Sequence, residues 1–196
     1  MKRLAGLSLF AILAVGVSLS AQDAAAPNPY YPLKVNSEWT YKVQGGPIKV
    51  KVIGTEKIKD NITGYKLETS AGGKVSASEV VANTKEGVQR ISVNGLIPEV
   101  PILFLKADAK KGESWTVDTK VAGQDIKGTF KVEEAKINVG GKDYDTLYVK
   151  GENMKIGSTE TTVEYWFAKD IGIVKLKFSL GTQDATLELE NYMAGK

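Results

Sequence analysis

Apolar and polar residues alternate with a period of two along most of this chain, which limits the folds open to it. Residues 48–53 read IKVKVI and residues 174–180 read VKLKFSL. Strands with one dry face and one wet face are typical of antiparallel sheets covered on one side. The pattern therefore predicts an all-β protein with a curved antiparallel sheet or half-barrel of ten or more strands. A β-sandwich is the alternative.

Turn signals separate the predicted strands. They lie at Gly45-Gly46-Pro47, Gly72-Gly73, Asn94-Gly95, Gly123-Gln124, Gly140-Gly141 and Gly181-Thr182. Glycine and asparagine tolerate the positive φ that tight hairpin turns require. We therefore expect consecutive strands to pair as antiparallel hairpins.

The last hairpin has a predicted register. A turn at Thr182-Gln183 would place Lys177 opposite Glu188. The same register places Lys175 opposite Glu190, with apolar residues opposed on the inner face. Directly opposed opposite charges contribute about 0.2–1 kcal/mol each, which favours this register over a slipped one.

Two halves of the chain present the same features in the same order. The segment VNSEWTY at 35–41 matches KGESWTV at 111–117, and each is followed by an alternating strand. Asn36 and Gly112, which tolerate positive φ, occupy equivalent places. We predict an internal duplication of a five-strand unit, at about 33–94 and 109–181, with a last strand at about 185–192.

An apolar connection joins the two halves. Residues 95–108, GLIPEVPILFLKAD, contain two prolines, each of which removes a hydrogen-bond donor and excludes a central strand. The connection is predicted to be an edge or crossing segment, either packed in the core or lining a ligand groove. Trp166 must face away from its neighbours on an alternating strand. The candidate ligand or partner contacts are Ile102, Leu103, Phe104, Leu105 and Trp166.

The N-terminus has the pattern of a Sec signal peptide. Lys2 and Arg3 precede an uncharged apolar run that ends at small residues, and the run is shorter than the roughly 20 residues of a membrane span. We expect a signal peptide at 1–21, an extended lead-in at 22–32 and one β domain at 33–196. Tyr30 and Tyr31 of the lead-in are expected to dock on that domain.

The absence of histidine and cysteine excludes many kinds of site. No Ser-His-Asp or Cys-His catalytic unit, no zinc site built on these residues and no disulfide can form. No catalytic, cofactor or metal site is predicted, and a hydrolase that relies on carboxylates is the remaining enzymatic alternative. Without a cysteine to carry a lipid, the product is expected to be soluble in the periplasm or secreted, not a lipoprotein and not membrane-spanning after signal cleavage.

The charge balance argues against nucleic acid as a partner. Without Lys2 and Arg3, 24 basic residues stand against 23 acidic ones. A net charge of +1 is not the basic footprint of a nucleic-acid-binding protein.

Two segments resemble a broad group of uncharacterised bacterial secreted proteins. They are the opening YPLKV at 31–35 leading to WTY at 39–41, and the closing YWFA at 165–168 leading to GIVK at 172–175. That group is more distantly similar to LolA-like and LolB-like proteins, whose half-open barrels hold acyl chains. The resemblance implies an exported, non-enzymatic protein that binds an apolar or lipid-like ligand in the concave face of its sheet. The alternative is a structural or interaction module of the cell envelope, with a fully packed interior and another envelope protein as partner. The sequence does not fix the oligomeric state.

Overall fold

A computed structural model describes residues 26–58 and 62–196, which form one twelve-stranded antiparallel sheet. The predicted all-β fold is confirmed, as a single sheet and not a sandwich. The signal peptide predicted at 1–21 lies outside the described residues. The strands are β1 (Glu38–Lys42), β2 (Ile48–Lys57), β3 (Thr63–Ala71), β4 (Lys74–Asn83), β5 (Gly87–Val93), β6 (Ile102–Lys106), β7 (Ser114–Val121), β8 (Gln124–Val139), β9 (Lys142–Ile156), β10 (Thr159–Ala168), β11 (Gly172–Leu180) and β12 (Gln183–Met193).

The sheet consists of two six-strand meanders joined side by side. Its order is β6-β5-β4-β3-β2-β1-β12-β11-β10-β9-β8-β7, so each meander follows the chain and β1 pairs with β12 at the centre. Each predicted five-strand unit is thus extended by a sixth strand. The connection at 95–108 supplies β6. This strand stands at one end of the strand order, beside β5, and is therefore an edge strand.

The two meanders begin with the same local geometry. Asn36 and Gly112 both have positive φ, at 68° and 89°. The Asn36 amide donates to the Val52 carbonyl, and the Gly112 amide donates to the Val132 carbonyl, both at 2.8 Å. The two meanders therefore start alike, and their origin by internal duplication stays a prediction.

The sheet curves until its two edge strands meet, which makes it a nearly closed barrel. The indole nitrogen of Trp115 on β7 donates to the Leu103 carbonyl on β6 at 2.9 Å. Beside them, the Thr119 hydroxyl lies 2.9 Å from both the amide and the carbonyl of Val100. Side chains therefore make most of this seam, in contrast to the continuous backbone ladders elsewhere in the sheet.

The register predicted for the last hairpin is wrong by two residues. Lys175, and not Lys177, lies opposite Glu188, with its ammonium nitrogen 2.7 Å from the carboxylate. The turn occupies Gly181 and Thr182 because Gly181 takes the positive φ of 62° that a two-residue turn needs. A two-residue slip keeps every side chain on its predicted face.

Aromatic side chains fill one end of the barrel. Tyr31 from the lead-in is buried, stacks on Trp39 at 5.9 Å and meets Phe104 and Phe167 edge-on. Hydrogen bonds hold the lead-in there. In one of them, the Asp170 amide donates to the Pro29 carbonyl at 2.7 Å. The lead-in therefore closes the end of the barrel at which β6 and β10 finish.

Candidate functional site

An apolar cavity of about 270 Å³ lies inside the opposite end of the barrel, where β6 and β10 begin. Its volume is just below the range of about 300–1,000 Å³ that is usual for small-molecule sites. Larger clefts of about 440 and 590 Å³ lie elsewhere and include charged side chains in their walls. The wall of the interior cavity includes Ile102, Ile126, Phe130, Met154, Leu176 and Phe178.

Arg90, in the wall of this cavity, forms an ion pair with Glu79. The Nε of Arg90 donates to the Glu79 carboxylate at 2.5 Å, and the two side chains are only 24% and 21% exposed. Arg90 lines the cavity, and its guanidinium carbon lies 5.0 Å from the centre of the Phe104 ring. The charged pair thus separates the apolar cavity from the packed aromatic end.

Strand pairing explains why both charges point inward. Arg90 lies opposite Val81 on one side and Ile102 on the other, and both of these are buried. Glu79 lies opposite the buried Leu67. Directly paired residues share a face of the sheet, so the ion pair belongs to the interior.

Three tyrosines lie close enough to the ion pair to interact with it electrostatically. Burial raises the pKa of the Tyr31 and Tyr41 hydroxyls, and the nearby Glu79 carboxylate raises both further. Burial would lower the pKa of the Arg90 guanidinium, but the Glu79 carboxylate and the Tyr165 hydroxyl more than offset this, so its pKa lies above the ordinary value. Arg90 therefore carries a permanent positive charge inside the barrel.

Arg90 and Glu79 are not among the residues predicted from the sequence, although one signal was present. Arg90 is the only arginine after Arg3 in a chain whose other basic residues are lysines. Arginine presents five donors in a rigid planar fork, whereas lysine is a flexible point charge. A lone arginine two residues from an apolar residue of a strand is a candidate for the inner face.

The structure divides the predicted contact residues among different places. Ile102 lines the cavity, and Phe104 lies under Arg90. Leu105 is fully buried, whereas Leu103 is half-buried at the seam. Ligand contact by any of them stays a prediction.

Trp166 lies on the outer face, away from the cavity. It stacks on Tyr148 at 4.8 Å, and the ammonium groups of Lys175 and Lys177 both lie 5.9 Å from its ring. These neighbours leave only 9% of Trp166 exposed. The exposed aromatic platform that a sugar or base would need is therefore absent at this position.

Raising the pH should unfold the protein cooperatively, because buried tyrosines cannot ionise in place. A hydroxyl whose pKa is raised on folding stabilises the folded state below the unfolded-state pKa of 10.0, and that stability is lost as the pH rises. Tyr31 and Tyr41 should each lower the free energy of unfolding by about 1.4 kcal/mol per pH unit above that value. Phenolate absorbance and circular dichroism, followed together, check this expectation. Ionisation of all eight tyrosines with native dichroism retained would contradict it.

The barrel is similar in architecture to a solved bacterial structure. A protein from Bacteroides fragilis, predicted to be exported and assigned a YmcC-like fold, superposes with a TM-score of 0.54 and 14% sequence identity. The match covers 84% of this chain and 98% of the other. The fold is similar to the YmcC-like fold. At this identity, the likeness extends to architecture and not to individual residues.

A second solved structure superposes less well on this chain. A protein from Parabacteroides distasonis, predicted to be a lipoprotein, has a TM-score of 0.47 and 11% identity, covering 86% of this chain and all of its own. No protein-family model matches the sequence, and no curated protein matches it. Within residues 26–58 and 62–196, the structure contains no helix that is both long and apolar enough to cross a membrane.

Proposed function

We propose that this protein is an exported, non-enzymatic binding protein whose barrel cavity takes up an apolar or lipid-like ligand. The observation that carries the proposal is the cavity of about 270 Å³ with aliphatic and aromatic walls. Burial of an apolar ligand there contributes roughly 25 cal/mol for each Å² of apolar surface removed from water. Among residues 26–58 and 62–196, no Asp or Glu lines this cavity, which favours binding over acid-base hydrolysis.

Exposed apolar side chains at the cavity end also support this proposal. The loop between β5 and β6 precedes Ile102, which lines the cavity. In that loop, Leu96 is 48% exposed, Ile97 is 71% exposed and Val100 is 57% exposed. An apolar rim beside an apolar cavity suits transfer of a ligand from a membrane or another protein.

Filling the cavity should abolish binding of an uncharged apolar probe. Leu176 lines the cavity, whereas its neighbour Lys177 is exposed on the outer face. We expect N-phenyl-1-naphthylamine to bind the wild type at one saturable site, seen as increased probe fluorescence. Leu176→Trp should weaken binding about tenfold or more, which corresponds to about 1.4 kcal/mol.

The matched control is Lys177→Trp, which adds the same indole outside the barrel. It should change the affinity by no more than about twofold, because it leaves the cavity unaltered. No saturable binding by the wild type would reject the proposal and favour the interaction module. Equal losses in both variants would place the binding site elsewhere.

A further inference from the structure

We infer that the ligand is a single-chain amphiphile with an anionic oxygen headgroup, in the simplest case a carboxylate, which Arg90 and Tyr165 bind inside the barrel. The inference rests on the proposed function and specifies the class of ligand. The apolar chain would occupy the cavity beyond the guanidinium. The headgroup would lie at the inner end, where the apolar wall gives way to charged and phenolic groups.

Arg90 has more hydrogen-bond donors than its pairing with Glu79 uses. A guanidinium has five N–H groups. In the described part of the chain, its hydrogen bond to a carboxylate runs from Nε to Glu79. Arg90 lines the largely apolar cavity, and its other neighbouring acceptor is the Tyr165 hydroxyl. Glu79 and Tyr165 together use only part of the donor set, so the rest is available to a ligand or to water.

The groups packed around the Arg90 guanidinium limit where a ligand can bind. The Phe104 ring lies under the guanidinium, with the Cζ atom 5.0 Å from the ring centre, and Glu79 occupies the Nε side. Because Glu79 occupies the Nε side, we assign the ligand to the edge formed by the two terminal nitrogens, with the Tyr165 hydroxyl as a neighbour. That edge matches the two oxygens of a carboxylate, because both can accept parallel hydrogen bonds from it.

The Tyr165 hydroxyl beside Arg90 also favours an anionic headgroup. Tyr165 lines the cavity and lies close enough to Arg90 to raise the pKa of the guanidinium. A neutral phenol can donate one further hydrogen bond to an anion. A cationic headgroup would meet the positive charge of Arg90, and an uncharged alcohol would leave part of the donor set unused.

Glu79 competes with such a ligand for the same guanidinium. Two carboxylates beside one cation repel each other, so the ligand must overcome the presence of Glu79. Removing the charge of Glu79 should therefore strengthen binding of an anion and leave binding of an alcohol unchanged. This opposite response separates headgroup recognition from general apolar binding.

The cavity volume also limits the chain. At about 30 Å³ for each water-sized group, the cavity holds about nine methylene-sized groups. Decanoate is therefore a suitable probe. A longer chain would have to extend through the open mouth of the barrel.

The test compares ligands that share one chain and differ in the headgroup. Decanoate, decyl sulfate, 1-decanol and decylamine each compete with N-phenyl-1-naphthylamine at neutral pH, below their micellar concentrations. Both anions should bind about tenfold or more tightly than decanol, and decylamine should bind most weakly. The ratio between decanoate and decyl sulfate tells whether a carboxylate or a tetrahedral oxyanion is the better headgroup.

Two variants locate the preference. Arg90→Met should remove the difference between decanoate and decanol, while Glu79→Gln should raise decanoate affinity by about threefold or more and leave decanol within about twofold. Where Arg90→Met does not fold, Glu79→Gln decides alone. Equal affinity of the wild type for decanoate and decanol overturns the inference, and so does an unchanged decanoate affinity in Glu79→Gln. Failure of every ligand and of the probe to bind would instead reject the proposed function.

Discussion

Replacing Glu79 by glutamine should lower the free energy of unfolding by about 3 kcal/mol, because it leaves Arg90 charged and unpaired inside the barrel. Both side chains are less than a quarter exposed, and the Arg90 guanidinium, whose pKa lies above its ordinary value, cannot lose its proton to escape the penalty. Urea unfolding measures the change. Decanoate should restore part of the lost stability in this variant, since a ligand that binds only the folded state stabilises it.

The control for this result replaces both partners. Glu79→Leu combined with Arg90→Met removes both charges and keeps similar volumes, so it should cost about 1 kcal/mol or stabilise the protein. The double variant should therefore be more stable than Glu79→Gln alone. If Glu79→Gln costs less than about 0.5 kcal/mol, the pair is solvated and does not belong to the interior.

Replacing Trp39 by alanine should lower the free energy of unfolding by about 4 kcal/mol or more, within the range for a large buried aromatic side chain. Trp39 is 1% exposed and stacks on Tyr31 and Tyr192. Its indole nitrogen also donates to the Ile171 carbonyl at 2.6 Å. The substitution therefore opens a void in the packed end of the barrel and leaves a carbonyl without its partner.

Trp115 is the natural control, because it occupies the equivalent position in the second half. It also donates through its indole nitrogen, to the Leu103 carbonyl at 2.9 Å, but it is only half-buried at the seam. Trp115→Ala should cost about 2 kcal/mol, roughly half the loss in Trp39→Ala. Equal losses in the two variants would show that the packed end does not dominate stability.

Most of the fold was predictable, because period-two alternation and turn glycines act locally. Turns such as Gly72-Gly73 and Gly140-Gly141 have the positive φ values that their residues allow. The order of the strands in the sheet was harder to predict from the sequence, since it depends on contacts between residues far apart in the chain. β1 and β12 pair across almost the whole chain, and β6 completes a meander even though Pro98 and Pro101 lie just before it. The predicted register of the last hairpin was wrong because it placed the turn at Thr182-Gln183, one residue beyond the Gly181-Thr182 turn signal that the chain uses.

The cavity and its ion pair depend on three-dimensional closure, which the sequence shows only in part. Arg90 and Glu79 are brought together by adjacent strands, and the Phe104 ring from β6 covers one face of the guanidinium. The prediction of Ile102 and Phe104 as contact residues rested on apolar character; Ile102 lines the cavity, and ligand contact by either residue stays a prediction. The charged partner required knowledge of which strand faces lie inside. Trp166 was predicted as a contact residue because it is aromatic, but it lies on the outer face, where lysines cover it.

The most direct test of the central claim is to observe where decanoate binds. Methyl groups of isoleucine and methionine can be labelled and followed by nuclear magnetic resonance during a titration. Ile126, Ile156 and Met154 line the cavity and should shift with saturation, while Ile53 and Met193, 45% and 49% exposed, should not. Shifts confined to the exposed methyl groups, or no shifts at all, would contradict ligand binding inside the barrel.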